Sequence, residues 1–282
     1  MNEKVLWKIE ELWKKYYSLS LQGVKQSHYW HSDLKERISF LYKNNISIYN
    51  PDFQRVIEFD FTQSKKPVHS DDYGEYLGLE KSQVLEKNSK LIYLFDNHNK
   101  IIQPFLEYAE IRGKSFDVVH IDAHADDAIY PFESPKSLDL RNTTNYIKQT
   151  RISDFFDFMS NVVIPTKAGI QSLQKDTLDS LFQANDNSGI CDCELTKQSP
   201  LLIKNIHRYT KSIDFKEFKK PKNPYILSLD IDIFGPEGDF TDLESKVKII
   251  AQAWKCADVV CIAMSPGFID QKYAQEIIEI LM

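Results

Sequence analysis

The chain has 282 residues, 42% of them hydrophobic, which is enough for a sizeable buried core and too apolar for a disordered polymer. A formal net charge of -6 without any long basic run excludes non-specific binding to nucleic acid, which needs a basic face. Four cysteines, Cys191, Cys193, Cys256 and Cys261, are too few and too irregularly spaced for a disulfide framework, and no stretch approaches the roughly 20 apolar residues of a membrane-spanning helix.

Charges at Glu3, Lys4, Lys8, Glu10 and Glu11 interrupt any signal region, so the expectation is a reduced, cytoplasmic protein with no membrane partner. Cys191 and Cys193 lack the neighbouring Cys or His of a zinc site. From Asn2 to about Leu21, residues Leu6, Trp7, Ile9, Leu12, Trp13, Tyr16 and Tyr17 recur at three- and four-residue spacing, an amphipathic helix suited to covering the core. His28 and His31 precede a further helical stretch to about Tyr42; no acidic residue is tied to them by spacing, and they are read as structural or surface residues. Residues 50–90 carry Pro51, Pro67, Gly74 and Gly78 and read as loops and short elements, either a rim over a site or a surface excursion.

At Leu91 the pattern changes. Leu91-Ile92-Tyr93-Leu94-Phe95 is a buried strand that ends in Asp96-Asn97-His98, and Ile101 to Ile111 is a helix with Pro104 in its first turn and Gly113 as its stop. A strand at 117–121 follows, so the run forms a βαβ unit with parallel strands, whose carboxyl ends are where open α/β folds hold their ligands. Further along, the expected elements are a helix at 154–159, strands at 161–165 and 201–203, an exposed loop at 185–200, a strand at 225–227, a helix at 243–254, a strand at 258–263 and a closing amphipathic helix at 271–281.

Phe116 to Asp127 reads FDVVHIDAHADD, a β-rich run emptying into Asp122, His124 and Asp126. In an extended backbone residues two apart share a side, so these three point at one spot, and they are hard or borderline ligands for a divalent cation. Ser228-Leu229-Asp230-Ile231-Asp232 repeats the device after Tyr225-Ile226-Leu227, and two combs can share two metals. His120 is expected to alternate away from the comb; Asp96 and Asp127 flank the combs either as orienting partners or as solvated charges; His69 and His207 have no recognisable partner.

The order of strand-His98, Asp122-Ala123-His124-Ala125-Asp126 and Ser228-Leu229-Asp230-Ile231-Asp232 resembles the arginase–agmatinase (ureohydrolase) family over roughly residues 90–266. The resemblance implies a three-layer α/β/α sandwich with a mostly parallel sheet, and one arginase-like domain over 1–282 with 1–89 as a helical and loop N-terminal extension. It implies two Mn²⁺ per chain, one held by His98, Asp122, Asp126 and Asp230 and the other by Asp122, His124, Asp230 and Asp232. Asp122 and Asp230 would bridge, and Asp126 would also relay a proton. The chain departs from the family in lacking glycines before His98, in having Gly235-Pro236 where a third Asp is usual, and in having no His just after Asp126. It also ends its last strand in Ala263-Met264-Ser265-Pro266 instead of a guanidinium-holding Glu.

These departures resemble a branch of peptide arginases that make ornithine and urea from arginine residues within ribosomal peptides. The partner implied is then an arginine-containing peptide. Glu133, Glu237 and Asp239 lie in loops expected near the sheet's carboxyl end and are acidic candidates for gripping the substrate. Three alternatives remain open on the same residues: a small-molecule ureohydrolase, a single-zinc amidohydrolase of the deacetylase type, and a non-catalytic peptide-binding protein. A homo-oligomer is also left open.

Overall fold

Runs that are apolar on both faces have to be covered on both sides, and the chain does this with helices. The computed structural model describes residues 3–16, 53–71, 74–112, 114–131, 143–151, 153–160, 162 and 201–282. His28, His31, Gly113, Glu133, Cys191, Cys193, the loop at 185–200 and, Val162 excepted, the strand expected at 161–165 lie outside them. The described strands are β1 (Gln54–Val56), β2 (His69–Asp71), β3 (Gly74–Tyr76), β4 (Gln83–Lys87), β5 (Lys90–Phe95), β6 (Phe116–Ile121), β7 (Ile203–Tyr209), β8 (Tyr225–Asp230) and β9 (Val259–Ala263). The described helices are α1 (Glu3–Tyr16), α2 (Ile102–Arg112), α3 (Thr143–Gln149), α4 (Phe155–Met159), α5 (Leu243–Cys256) and α6 (Gln271–Leu281).

Among the described residues, seven strands form one sheet in the order β1-β4-β5-β9-β8-β6-β7. From β5 to β7 every pairing is parallel, whereas β4 runs antiparallel to β5 and carries β1 beside it. Every residue of β6, β8 and β9 is buried. On one face Ile9 of α1, Val247, Ile250 and Ala253 of α5 and Tyr273, Ile277 and Ile278 of α6 join one core. On the other, Phe105 of α2, Ile147 of α3 and Phe155 to Met159 around α4 join a second. The result is a mixed, mostly parallel α/β/α sandwich.

The stretch read as loops and short elements holds four short strands, and two of them, β1 and β4, extend the main sheet. β5 and β6 are parallel as expected of the βαβ unit, yet they are not neighbours, because β9 and β8 lie between them. β7 is longer than the apolar triplet that announced it, and its alternation is weak because most of its side chains are partly or fully exposed. Helix ends are built from local chemistry: the Asp242 carboxylate accepts from Ser245 N–H at 2.8 Å to start α5, and Asp270 accepts from Tyr273 N–H at 2.9 Å to start α6.

Candidate metal centre

Strand register lines up the carboxyl ends that carry the polar residues. Phe95 pairs with Ala263, Ala263 with Asp230, and Ile121 with Leu229, so the residues that follow β5, β6, β8 and β9 emerge along one edge. His98 sits in a 3-10 turn (His98–Ile101) directly after β5 and is fully buried, with the Phe155 ring 5.2 Å from its own.

The combs converge by a different device from the pleat. β6 stops at Ile121 and β8 at Asp230, and in each case the first aspartate bends the chain back on itself. Asp122 Oδ1 accepts from the His124 N–H at 2.7 Å, and Asp230 Oδ1 accepts from the Asp232 N–H at 3.0 Å. Both are side-chain-to-backbone turns of the kind short acidic residues favour. The expected extended alternation past the strand ends is therefore corrected: Ile231–Phe234 is a 3-10 turn and Asp126 has a φ of +44°, a strained setting for a non-glycine residue. Ala123 N–H donates to Asp232 Oδ1 at 3.2 Å and ties one comb to the other.

The structure brings all six sequence-selected side chains together. His98 Nδ1 lies 3.1 Å from Asp122 Oδ2, 3.3 Å from Asp126 Oδ2 and 3.3 Å from Asp230 Oδ2. His124 Nδ1 lies 2.9 Å from Asp232 Oδ2 and 3.4 Å from Asp122 Oδ1. Asp122 thus presents one oxygen to each histidine. Ser265, at a φ of +46° just past β9, donates its hydroxyl to Asp230 Oδ2.

Residues around these six differ from expectation in several places. His120 shares strand parity with Asp122 and lies on the comb side, its Nε2 3.5 Å from Asp122 Oδ2, so the reading that it points away is corrected. Glu237, one of three acids considered for gripping substrate, instead meets His124 Nε2 from a 3-10 turn begun by Pro236. Asp96 is buried and ion-paired with Lys100 at 2.7 Å, while Asp127 and Asp239 are exposed. His69 stacks near Tyr76 and Phe268, with ring centroids 5.7 and 5.8 Å away, and Phe268 in turn lies 5.2 Å from the His124 ring. His207 lies 3.3 Å from the buried Asp117 carboxylate. Parity would have found His120; nothing in the sequence ranked Glu237 as a partner of His124.

Electrostatics set the chemistry of the cluster. Burial raises the Asp126, Asp230 and Asp232 carboxyls above the ordinary range, and mutual repulsion of Asp230 and Asp232 adds to the shift of Asp230. Burial pulls the two comb-facing histidines down, but surrounding carboxylates outweigh it: Asp122, Asp126 and Asp230 hold His98 well above its usual value, and Asp232 with Asp122 does the same for His124. Burial takes His120 the other way, down to about 3, so it is a neutral ring at physiological pH.

Four buried carboxylates with two imidazoles are an expensive cluster unless cations neutralise them. Asp126 Oδ2 is buried and lies within the cluster, 3.3 Å from His98 Nδ1. A set of carboxylate oxygens and imidazole nitrogens suits a divalent ion, and the His98–His120–Asp122 and Asp122–His124–Asp232 groups each place their donor atoms within 4.8 Å of one another. The residues fit one or two divalent cations.

A buried pair of His/Asp triads at the carboxyl edge of a mostly parallel α/β/α sheet defines the class as a candidate metal-dependent hydrolase. No family model, no curated protein and no solved structure matches the chain, so the class rests on the geometry alone. No described helix is long and apolar enough to cross a membrane.

Proposed function

We propose that the protein is an arginase-like hydrolase that converts arginine residues of a peptide to ornithine, releasing urea. The observation that supports this most is the double use of Asp122, whose two oxygens face His98 on one side and His124 on the other, as a carboxylate bridging two cations must. In this reading His98, Asp122, Asp126 and Asp230 would hold the first cation and Asp122, His124, Asp230 and Asp232 the second, with Mn²⁺ as the ion in both, and His120, though within reach of the first group, would stand beside it and not among its ligands. When bound, such a pair supplies Lewis acidity that makes hydroxide available from water at neutral pH.

The guanidino carbon is a poor electrophile because resonance spreads its charge, which is why a strong nucleophile is needed. In the net reaction a new C–O bond forms, the C–N bond to the side-chain nitrogen breaks, and that nitrogen takes a proton to leave as an amine. In this reading Asp126 carries the proton, its Oδ2 lying within the cluster 3.3 Å from His98 Nδ1. Glu237 orients His124 through Nε2, and Ser265 does the same for Asp230 through Oδ2. The last strand ends in Ala263-Met264-Ser265-Pro266, without the guanidinium-holding Glu of the resembled family, which favours a substrate held by other parts of a longer chain over a free amino acid.

The test is urea release from purified, Mn²⁺-loaded protein with an arginine-containing peptide, free arginine and agmatine as separate substrates. A peptide mass loss of about 42 Da, the CH₂N₂ removed when a guanidine becomes an amine, is the expected signature. Turnover of free arginine or agmatine without any of peptide would remove the peptide reading, and no urea from any of the three would remove the ureohydrolase reading.

A further inference from the structure

We infer that Ser228 and His120 form a proton-ordered relay that fixes the ring of His98, which makes His120 a positioning residue for the first cation. This rests on the two-cation reading above. Register places Ser228 directly beside His120 on neighbouring strands, and His98 reaches over from the end of β5. Ser228 Oγ lies 2.7 Å from His98 Nε2 and 3.3 Å from His120 Nδ1, and all three residues are fully buried.

A hydroxyl has one hydrogen to give and two lone pairs to accept with. His98 turns Nδ1 toward Asp122, Asp126 and Asp230, and a nitrogen that binds a cation must be bare. Its hydrogen is then on Nε2 and is donated to Ser228 Oγ. The serine hydrogen is left for His120 Nδ1, which must be bare in turn, so the His120 hydrogen is on Nε2. That nitrogen faces Asp122 Oδ2 at 3.5 Å, the same oxygen that faces His98.

The order of protons therefore runs one way, from His98 through Ser228 to His120 and back toward the bridging carboxylate. Each imidazole packs against an aromatic ring, Phe155 at 5.2 Å from His98 and Phe156 at 4.9 Å from His120. Ser228 is thus more than the opening residue of the second comb. It is the smallest side chain that can accept from one imidazole and donate to the next in a space closed to water.

The experiment is a double-mutant cycle on Mn²⁺ binding, followed by calorimetric titration and by electron paramagnetic resonance, with S228A, S228T, H120F and S228A/H120F. Wild type is expected to take two Mn²⁺. S228A should weaken the first site by about 10- to 100-fold, the range typical of lost partners of metal-bound histidines, with the His124 site unaffected. S228T should restore binding, and the double variant should be no worse than the weaker single variant. In metal-free protein carrying ¹⁵N-labelled histidine, nuclear magnetic resonance should show His120 as the Nε2–H tautomer in wild type and as a mixture of tautomers in S228A.

Additive losses, failure of S228T to rescue, or an unchanged His120 tautomer in S228A would each overturn the relay. So would loss of a manganese-coupled nitrogen in H120F, which would make His120 a direct ligand. Thermal melts of the metal-free variants report folding, and H120Q replaces H120F in the cycle if the latter does not fold. A wild type that binds fewer than two Mn²⁺ would defeat the two-cation reading, while the tautomer measurement would still judge the relay.

Discussion

Removing the cations should make stability depend on pH in a direction fixed by the cluster. In metal-free protein His98 and His124 are held well above their usual value, so their contribution is full below the unfolded histidine value of about 6.5 and is lost as pH rises through the folded values. Asp126, Asp230 and Asp232 are also raised, and their protonated forms likewise favour the fold at low pH only. Metal-free protein is therefore less stable at pH 8 than at pH 6. Each cation displaces at most one imidazole proton, so affinity rises by up to about tenfold per pH unit per site, an upper bound of about 2.7 kcal/mol between pH 6 and pH 8. Two sites give at most about 5 kcal/mol. At a few degrees per kcal/mol in a chain of this size, the rise in Tm on adding Mn²⁺ should be larger at pH 8 by on the order of 10 °C. Scanning calorimetry with EDTA or with a fixed excess of Mn²⁺ at both pH values measures it. An increment that is equal at the two pH values, or larger at pH 6, would refute the reasoning.

Three substitutions test the surroundings of the site. Glu237→Gln keeps the shape but removes the charge facing His124 Nε2, and should weaken Mn²⁺ at the second site by about 10- to 100-fold, read by calorimetric titration; unchanged affinity would show the contact to be idle. Asp126→Asn, assayed at saturating Mn²⁺, should lower urea release by about 10²- to 10⁴-fold, and full activity would remove Asp126 from proton transfer. Lys100→Ala strands the buried Asp96 carboxylate and should cost about 3–5 kcal/mol in urea denaturation, with a loss below about 1 kcal/mol showing the pair to be effectively solvated.

The central strands and four long helices were legible because their apolar residues report burial directly: Leu91 to Phe95, Val118 to Ile121 and Tyr225 to Leu227 lie where they were expected. The edges were not. Gln83–Lys87 and Ile203–Tyr209 are held by backbone pairing at the sides of the sheet, where side chains need not be apolar, and so they carry little pattern. Strand order was equally hidden, because the pairing of β5 with β9 joins residues far apart in sequence. At the site, the six chemically selected residues do come together, but alternation was the wrong reason for part of it. Asp122 and Asp230 turn their own backbones through side-chain acceptors, a local competition that a periodicity argument does not see. His120 is the reverse case, since simple parity with Asp122 is enough to place it on the comb side.

The position of β8 and β9 between β5 and β6 has a consequence for how the protein is made. The ribosome delivers the two outer members of that quartet first and the two that separate them last. A nascent chain stopped before Tyr225 already carries His98, Asp122, His124 and Asp126, yet it lacks the strands that hold these residues side by side. Pairings of such long span form late and slowly. On the two-cation reading, loading is therefore a step that follows completion of the polypeptide through Ala263, and a prematurely ended chain presents the candidate ligands without a cradle to set them.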